Sequence, residues 1–134
     1  DDLDAELSNL PSWTDIGASL EPTSPVVLVD MDTTEQIPLW AELDAHDEDE
    51  SQRLLVIHPA ISLPEGHTFA VGLRGMLNHD RGLIDTGNIF RVYRDNLRTT
   101  NEEVEYRRAD IDAAISALVA TGVQRVELQL AWSF

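Results

Sequence analysis

The sequence has no cysteine and no lysine. Without cysteine, disulfides, thiolate metal sites and cysteine nucleophiles are excluded. Without lysine, Schiff-base chemistry, a lysine general base and a phosphate-binding P-loop are excluded. All nine basic residues are therefore arginines, as codon bias in a GC-rich genome or an acid-surface, halophilic adaptation would produce. No stretch approaches the roughly 18–20 apolar residues of a membrane span. Basic charge of any kind is scarce: 9 residues against 25 acids give a net charge of −16, which argues against nucleic acid or an anionic membrane as a partner. What is present is enough for one domain, since 134 residues bury a core that needs no covalent staple.

The charge is uneven. Residues 1–67 carry 16 acids and one base, Arg53, for −15, whereas residues 68–134 carry 9 acids and 8 arginines, for −1. Most of the acidity thus belongs to the first half, and a dense part of it to the loop from Asp44 to Ser51. The order of elements follows from hydrophobic period. Residues 1–24 are polar and interrupted by Pro11 and Pro22. They are expected to form a lead segment or linker, with a short helix through Leu3, Leu7 and Leu10 and with Trp13 and Ile16 as anchors. Residues 25–134 form the domain proper. Val26 to Asp30 is a buried strand. Ile37 to Asp44 alternates and is expected as the return arm of a hairpin, with Pro38 marking an edge. Further strands are expected over 53–58, 67–74, 89–93 and 126–134. Between the last two the period becomes 3.6 through Val104, Ile111, Ile115, Leu118 and Val119. This predicts a helix over about 102–121, capped by Thr99 or Thr100 and stopped at Gly122. About six short strands with one late helix predict a mainly β fold, a β-sandwich with an added helix.

No pattern identifies an active site. There is no Gly-x-Ser-x-Gly elbow, no His-Glu-x-x-His, no Gly-x-Gly-x-x-Gly and no Walker loop. His46, His58, His67 and His79 fall at unrelated spacings and are expected as separate surface or turn residues. The acidic loop offers Asp44, Asp47 and Asp49 as candidate Ca²⁺ ligands, because Ca²⁺ takes several oxygens, although the loop lacks the EF-hand spacing and glycine. Its plainer reading is a solvated loop. Trp13, Trp40 and Trp132 are candidates for an aromatic surface, with sheet packing the simpler expectation for the latter two. Arg91, Arg94, Arg98, Arg107 and Arg108 form a cationic run, expected to pair with acids of the first half or with their own neighbours.

Asp30-Met31-Asp32-Thr33-Thr34, following Val-Val-Leu-Val, resembles the first motif of haloacid-dehalogenase-type phosphatases. That resemblance implies a nucleophilic Asp30, with Asp32 as acid/base and Mg²⁺ ligand. The competing reading is a turn, which Asp and Thr both favour, and no second acidic motif or α/β alternation follows.

A wider resemblance covers residues 14–134. The phrases are Thr-Asp-Ile-Gly-Ala-Ser-Leu at 14–20, Ser-Pro-Val-Val-Leu-Val-Asp at 24–30, Trp-Ala-Glu-Leu-Asp at 40–44 and Leu-Val-Ile-His-Pro-Ala at 55–60. Leu-Pro-Glu-Gly-His-Thr-Phe-Ala-Val follows at 63–71, then Phe-Arg-Val-Tyr-Arg-Asp at 90–95 and Leu-Gln-Leu-Ala-Trp-Ser-Phe at 128–134. In this order they resemble the N-terminal region of large secreted bacterial proteins, of actinobacterial type, described as lipase-like or α/β-hydrolase-like. Residues 59–71 are also similar to a bacterial Ig-like signature in which Leu63 and Phe69 pack inward and Gly66 makes a turn. The resemblance implies an Ig-like β-sandwich of six to seven strands. It implies a non-catalytic accessory or interaction module, extracellular, whose partner is the remainder of its own polypeptide or another chain. The start at Asp1 and the terminal strand are expected of a processed or longer chain. Two alternatives stand beside it: an Mg²⁺-dependent phosphatase using Asp30 and Asp32, and a structural subunit of an extracellular assembly joined through residues 126–134. No cofactor is expected in the first reading, apart from Ca²⁺ in the acidic loop.

Overall fold

The apolar run Val26–Val29 is buried along its whole length because it is covered on both faces. In the computed structural model, which describes residues 2–46, 48–49 and 52–134, it forms β1 (Val26–Asp30). Period-2 alternation sends Val27 and Val29 into one apolar cluster and Val26 and Leu28 into another. β1 pairs antiparallel with β4 (Phe69–Arg74), and β4 pairs antiparallel with β5 (Leu128–Ser133), giving the order β1-β4-β5. A second sheet holds β2 (Leu39–Leu43) and β3 (Leu55–Pro59), also antiparallel. Two α-helices, α1 (Asn88–Arg94) and α2 (Glu102–Ala120), complete the described elements, with 3₁₀ turns at Ile16–Leu20 and Arg125–Glu127. Five strands in two antiparallel sheets and two helices make this a mixed α/β arrangement. Strand and helix claim near-equal shares of it, so "mainly β" and six to seven strands overstate the sheet.

Each face of the three-stranded sheet has its own core. Ala114, Ile115 and Leu118 of α2, with Phe90 of α1, pack on Val27, Val29, Ala70, Leu128 and Ala131. Leu39 and Ala41 of β2, with Leu55 and Ile57 of β3, pack on Val26, Leu28, Phe69 and Val71. Several expectations are corrected here. Residues 89–93 are helical. Phe90 and Tyr93 are buried three residues apart, while Ile89 points out, a spacing that a five-residue window does not separate from alternation. β5 does not present Leu128, Leu130 and Trp132 to one face. A bulge opposite Leu73 and Arg74 reverses its parity, so Leu128 and Ala131 meet the helix side while Trp132 meets the other core. The inserted residue, Gln129, uses its amide to hold the Met76 N–H and the Met76 and Ile84 carbonyls.

The third correction concerns the hairpin after β1. The return arm begins as expected, with the Ile37 N–H donating to Leu28 O. The Leu39 N–H, which would continue that ladder, donates instead to the buried Ser19 hydroxyl, and the Ser24 hydroxyl takes Val26 O. The chain therefore leaves β1 and pairs with β3. The helix cap also differs. Asn101, not Thr99 or Thr100, accepts the Glu103 and Val104 N–H groups, while Gly122, at φ 108°, ends α2 as expected. The lead segment is tied down, although without a helix through Leu3 to Leu10. Leu3 and Leu10 pack on the second core and Pro11 O accepts the Ala41 N–H. Trp13, expected as an anchor, is 70% exposed.

Candidate functional site

The turn after β1 is built by its own carboxylates. Asp30 Oδ1 accepts the N–H groups of Asp32 and Thr33 at 2.9 and 3.2 Å, an Asx-turn that Thr34 completes at φ 64°. The antiparallel register sets Asp30 opposite Phe69, so the residues just before β4 lie against this turn. Met31 N–H donates to Thr68 O at 2.8 Å, and Thr68 N–H donates to Asp32 Oδ2 at 2.7 Å. His67 closes the cluster, its Nδ1 lying 2.7 Å from Asp30 Oδ2. The Asp30 side chain is 3% exposed and that of His67 31%.

Electrostatics follow from this packing. Burial pushes the Asp30 carboxyl up, but the His67 hydrogen bond and the two backbone N–H groups outweigh it and hold its pKa below the ordinary value. His67 is raised by its hydrogen bond to Asp30, against burial, with the charges of Asp30 and Asp32 adding. Both shifts favour the ion-paired form of the two side chains. One ligand atom from each of Asp30, Asp32 and His67 falls within 4.8 Å of the others, a donor set able to hold a metal ion.

This geometry does not favour the phosphatase reading. Asp30 is buried with both oxygens engaged, whereas a carboxylate nucleophile needs an oxygen free to reach substrate. Asp44 accepts from its neighbour His46, through both ring and backbone. Asp49 is exposed, and Asp47 lies outside the described residues. Neither Asp44 nor Asp49 joins a set of three metal-ligating groups among the described residues.

The remaining candidates are dispersed. His46, His58 and His79 face Asp44, Glu42 and Asp4 in turn. Sequence spacing gave no reason to single out His67. The only signal for it is the β1–β4 register, which spacing does not reveal. Trp40 stacks on His58 at 3.7 Å, on the side of β2 away from Leu39 and Ala41, while Trp132 packs inside, so the tryptophans share no platform. Four arginines of the run pair with near neighbours, Arg94 with Asp95, Arg98 and Arg108 with Glu105, and Arg107 with Glu103, while Arg91 donates to the Thr86 carbonyl.

A second feature is apolar. β5 is an edge strand whose outer side pairs with no described strand. Beside it runs a cleft of about 720 Å³, lined by Ile89, Phe90, Tyr93, Ile111, Leu130 and Trp132 among others. Ile89 is 65% and Leu130 42% exposed. No described helix is long and apolar enough to cross a membrane. No protein-family profile matches the chain, and no curated protein or solved structure matches it either.

Proposed function

We propose that this chain is a non-catalytic accessory module of a secreted, hydrolase-like polypeptide. It packs on, positions or shields a catalytic domain of the same polypeptide or of another chain. The observation that carries this reading is the open edge of β5 beside an apolar cleft, the combination that a docked segment or sheet uses for backbone pairing and side-chain burial together. The Ig-like form of the two-sheet arrangement belongs to the same proposal. It is supported by Leu63 and Phe69 packing into the second core and by Gly66 turning at φ 76°.

Phe69 and Phe134 exchange both backbone hydrogen bonds, so along β5 Trp132 and Leu130 bond toward β4, and the N–H groups of Ala131 and Ser133 point away. Hydrogen exchange at Ala131, Ser133 and α1, measured on this chain and on the polypeptide extended by its neighbouring coding sequence, tests the reading. Protection that appears in the extended form and is lost in Leu130→Lys supports it. Equal exchange in both forms refutes it, and so does esterase or phosphatase turnover by this chain alone. Protection that instead rises with the concentration of this chain would favour the structural-subunit reading, which uses the same edge.

A further inference from the structure

We propose that Asp30, Asp32 and His67 bind one first-row divalent cation, Zn²⁺ or Mn²⁺, which clamps the turn after β1 to the start of β4. The donors come from two segments joined only by the β1–β4 register, and they converge within 4.8 Å. Each carboxylate is already split between two tasks. Asp30 holds backbone N–H groups with Oδ1 and presents Oδ2, while Asp32 holds the Thr68 N–H with Oδ2 and has no partner for Oδ1 among the described residues. Backbone donors therefore fix both carboxylates in orientation, as outer hydrogen bonds do at metal sites.

Charge supplies the second argument. Among the described residues no arginine forms an ion pair with Asp30 or Asp32, and the ring facing the buried Asp30 carboxylate is that of His67. Two carboxylates are the charge that neutralises a dication. The distances agree. Metal–ligand bonds of about 2.0–2.1 Å place adjacent donor atoms roughly 3 Å apart, and Asp30 Oδ2 and His67 Nδ1 already lie 2.7 Å apart. An ion entering there displaces the proton the two atoms share and opens their separation by a few tenths of an ångström. Asp32 is exposed and His67 partly so, which leaves room for water to complete the coordination. One nitrogen and two oxygens suit Zn²⁺ or Mn²⁺, whereas Ca²⁺ requires more oxygens and Mg²⁺ few protein ligands beyond carboxylate.

The test is equilibrium dialysis of the chelator-stripped chain against Zn²⁺ and Mn²⁺, with Ca²⁺ and Mg²⁺ in parallel, and thermal unfolding with and without each ion. One Zn²⁺ or Mn²⁺ per chain is expected, with a raised unfolding midpoint and at least about tenfold weaker binding in Asp32→Asn and His67→Gln. Asp32→Asn retains an oxygen for the Thr68 N–H, so it decides the matter even if His67→Gln fails to fold. X-ray absorption of the Zn²⁺ form is expected to show nitrogen and oxygen neighbours with imidazole scattering. The proposal is overturned if no stoichiometric binding occurs below about millimolar ion. It is overturned equally if Asp32→Asn binds as wild type does, which would place the ion elsewhere on the acidic surface, or if Ca²⁺ or Mg²⁺ binds more tightly.

Discussion

Gly72→Ala tests the packing that holds α2 on the sheet. Gly72 sits mid-strand in β4, between Val27 of β1 and Ala131 of β5. A Cβ there would lie 2.8 and 3.2 Å from the two Cδ atoms of Leu118 and 3.1 Å from Leu128 Cδ2. Methyl groups are flexible ends, but Leu118 and Leu128 are both fully buried, so any rotation is passed to their neighbours. Overpacking of this kind costs about 1–3 kcal/mol. The reduced entropy of the unfolded chain returns about 0.4–1 kcal/mol, leaving a net loss near 1–2 kcal/mol. Leu118→Ala alone leaves a cavity and costs about 2–5 kcal/mol. In the double variant the new methyl group enters the space that Leu118 vacated, so the two losses do not add. A favourable coupling of about 1–2 kcal/mol is expected, within the range found for residues in contact. Urea titration of the four proteins in the cycle measures it. Each kcal/mol corresponds to a shift of roughly 3–5 °C in Tm for a chain of this size. A neutral Gly72→Ala, or losses that add in the double variant, would refute the claim that the missing side chain sets the approach of helix to sheet.

Two further outcomes follow from the helix. Asn101→Ala removes the acceptor for the Glu103 and Val104 N–H groups and is expected to cost about 1 kcal/mol by chemical denaturation, whereas Thr99→Ala and Thr100→Ala are expected to cost less. Glu105 is held below the ordinary carboxylate value by its hydrogen bonds to Arg108, against burial, with Thr99 and Arg98 contributing. Its stabilisation is complete above the unfolded carboxyl pKa and is lost as pH falls through the depressed folded value. The stability gap between wild type and Glu105→Gln is therefore expected to be widest near neutrality and to shrink in acid below about pH 4, as measured by urea titration across pH. A gap that stays constant with pH would show that the Glu105–Arg108 pair contributes no charge-dependent stability.

Local pattern was a sound guide wherever one element's own period decided the outcome. The Val26–Asp30 run, the alternation of Leu39 to Leu43 and the 3.6 spacing from Ile111 to Leu118 were legible, because burial of one face imposes that period whatever lies opposite. Residues 89–93 were not legible, since a two-turn helix and a short strand expose the same few apolar positions. The parity of β5 was not legible either, because a bulge is set by what pairs with the strand and not by its own residues. The candidate site divides in the same way. The Asp30-Met-Asp32 turn was visible as a motif, with its turn chemistry as an open alternative, whereas His67 entered only through pairing with β4.

By itself the sequence determined the reactions this chain lacks the groups for. It also determined the acidic bias of the first half and the identity of most elements, because composition and period are local properties. Tertiary structure decided which strand β2 joins, through one serine hydroxyl that takes the Leu39 N–H. It also decided that His67 lies against Asp30 and near Asp32, and that β5 has an open edge beside a cleft. All three depend on which distant segments pair, and the free energy of that choice lies in the packing between elements.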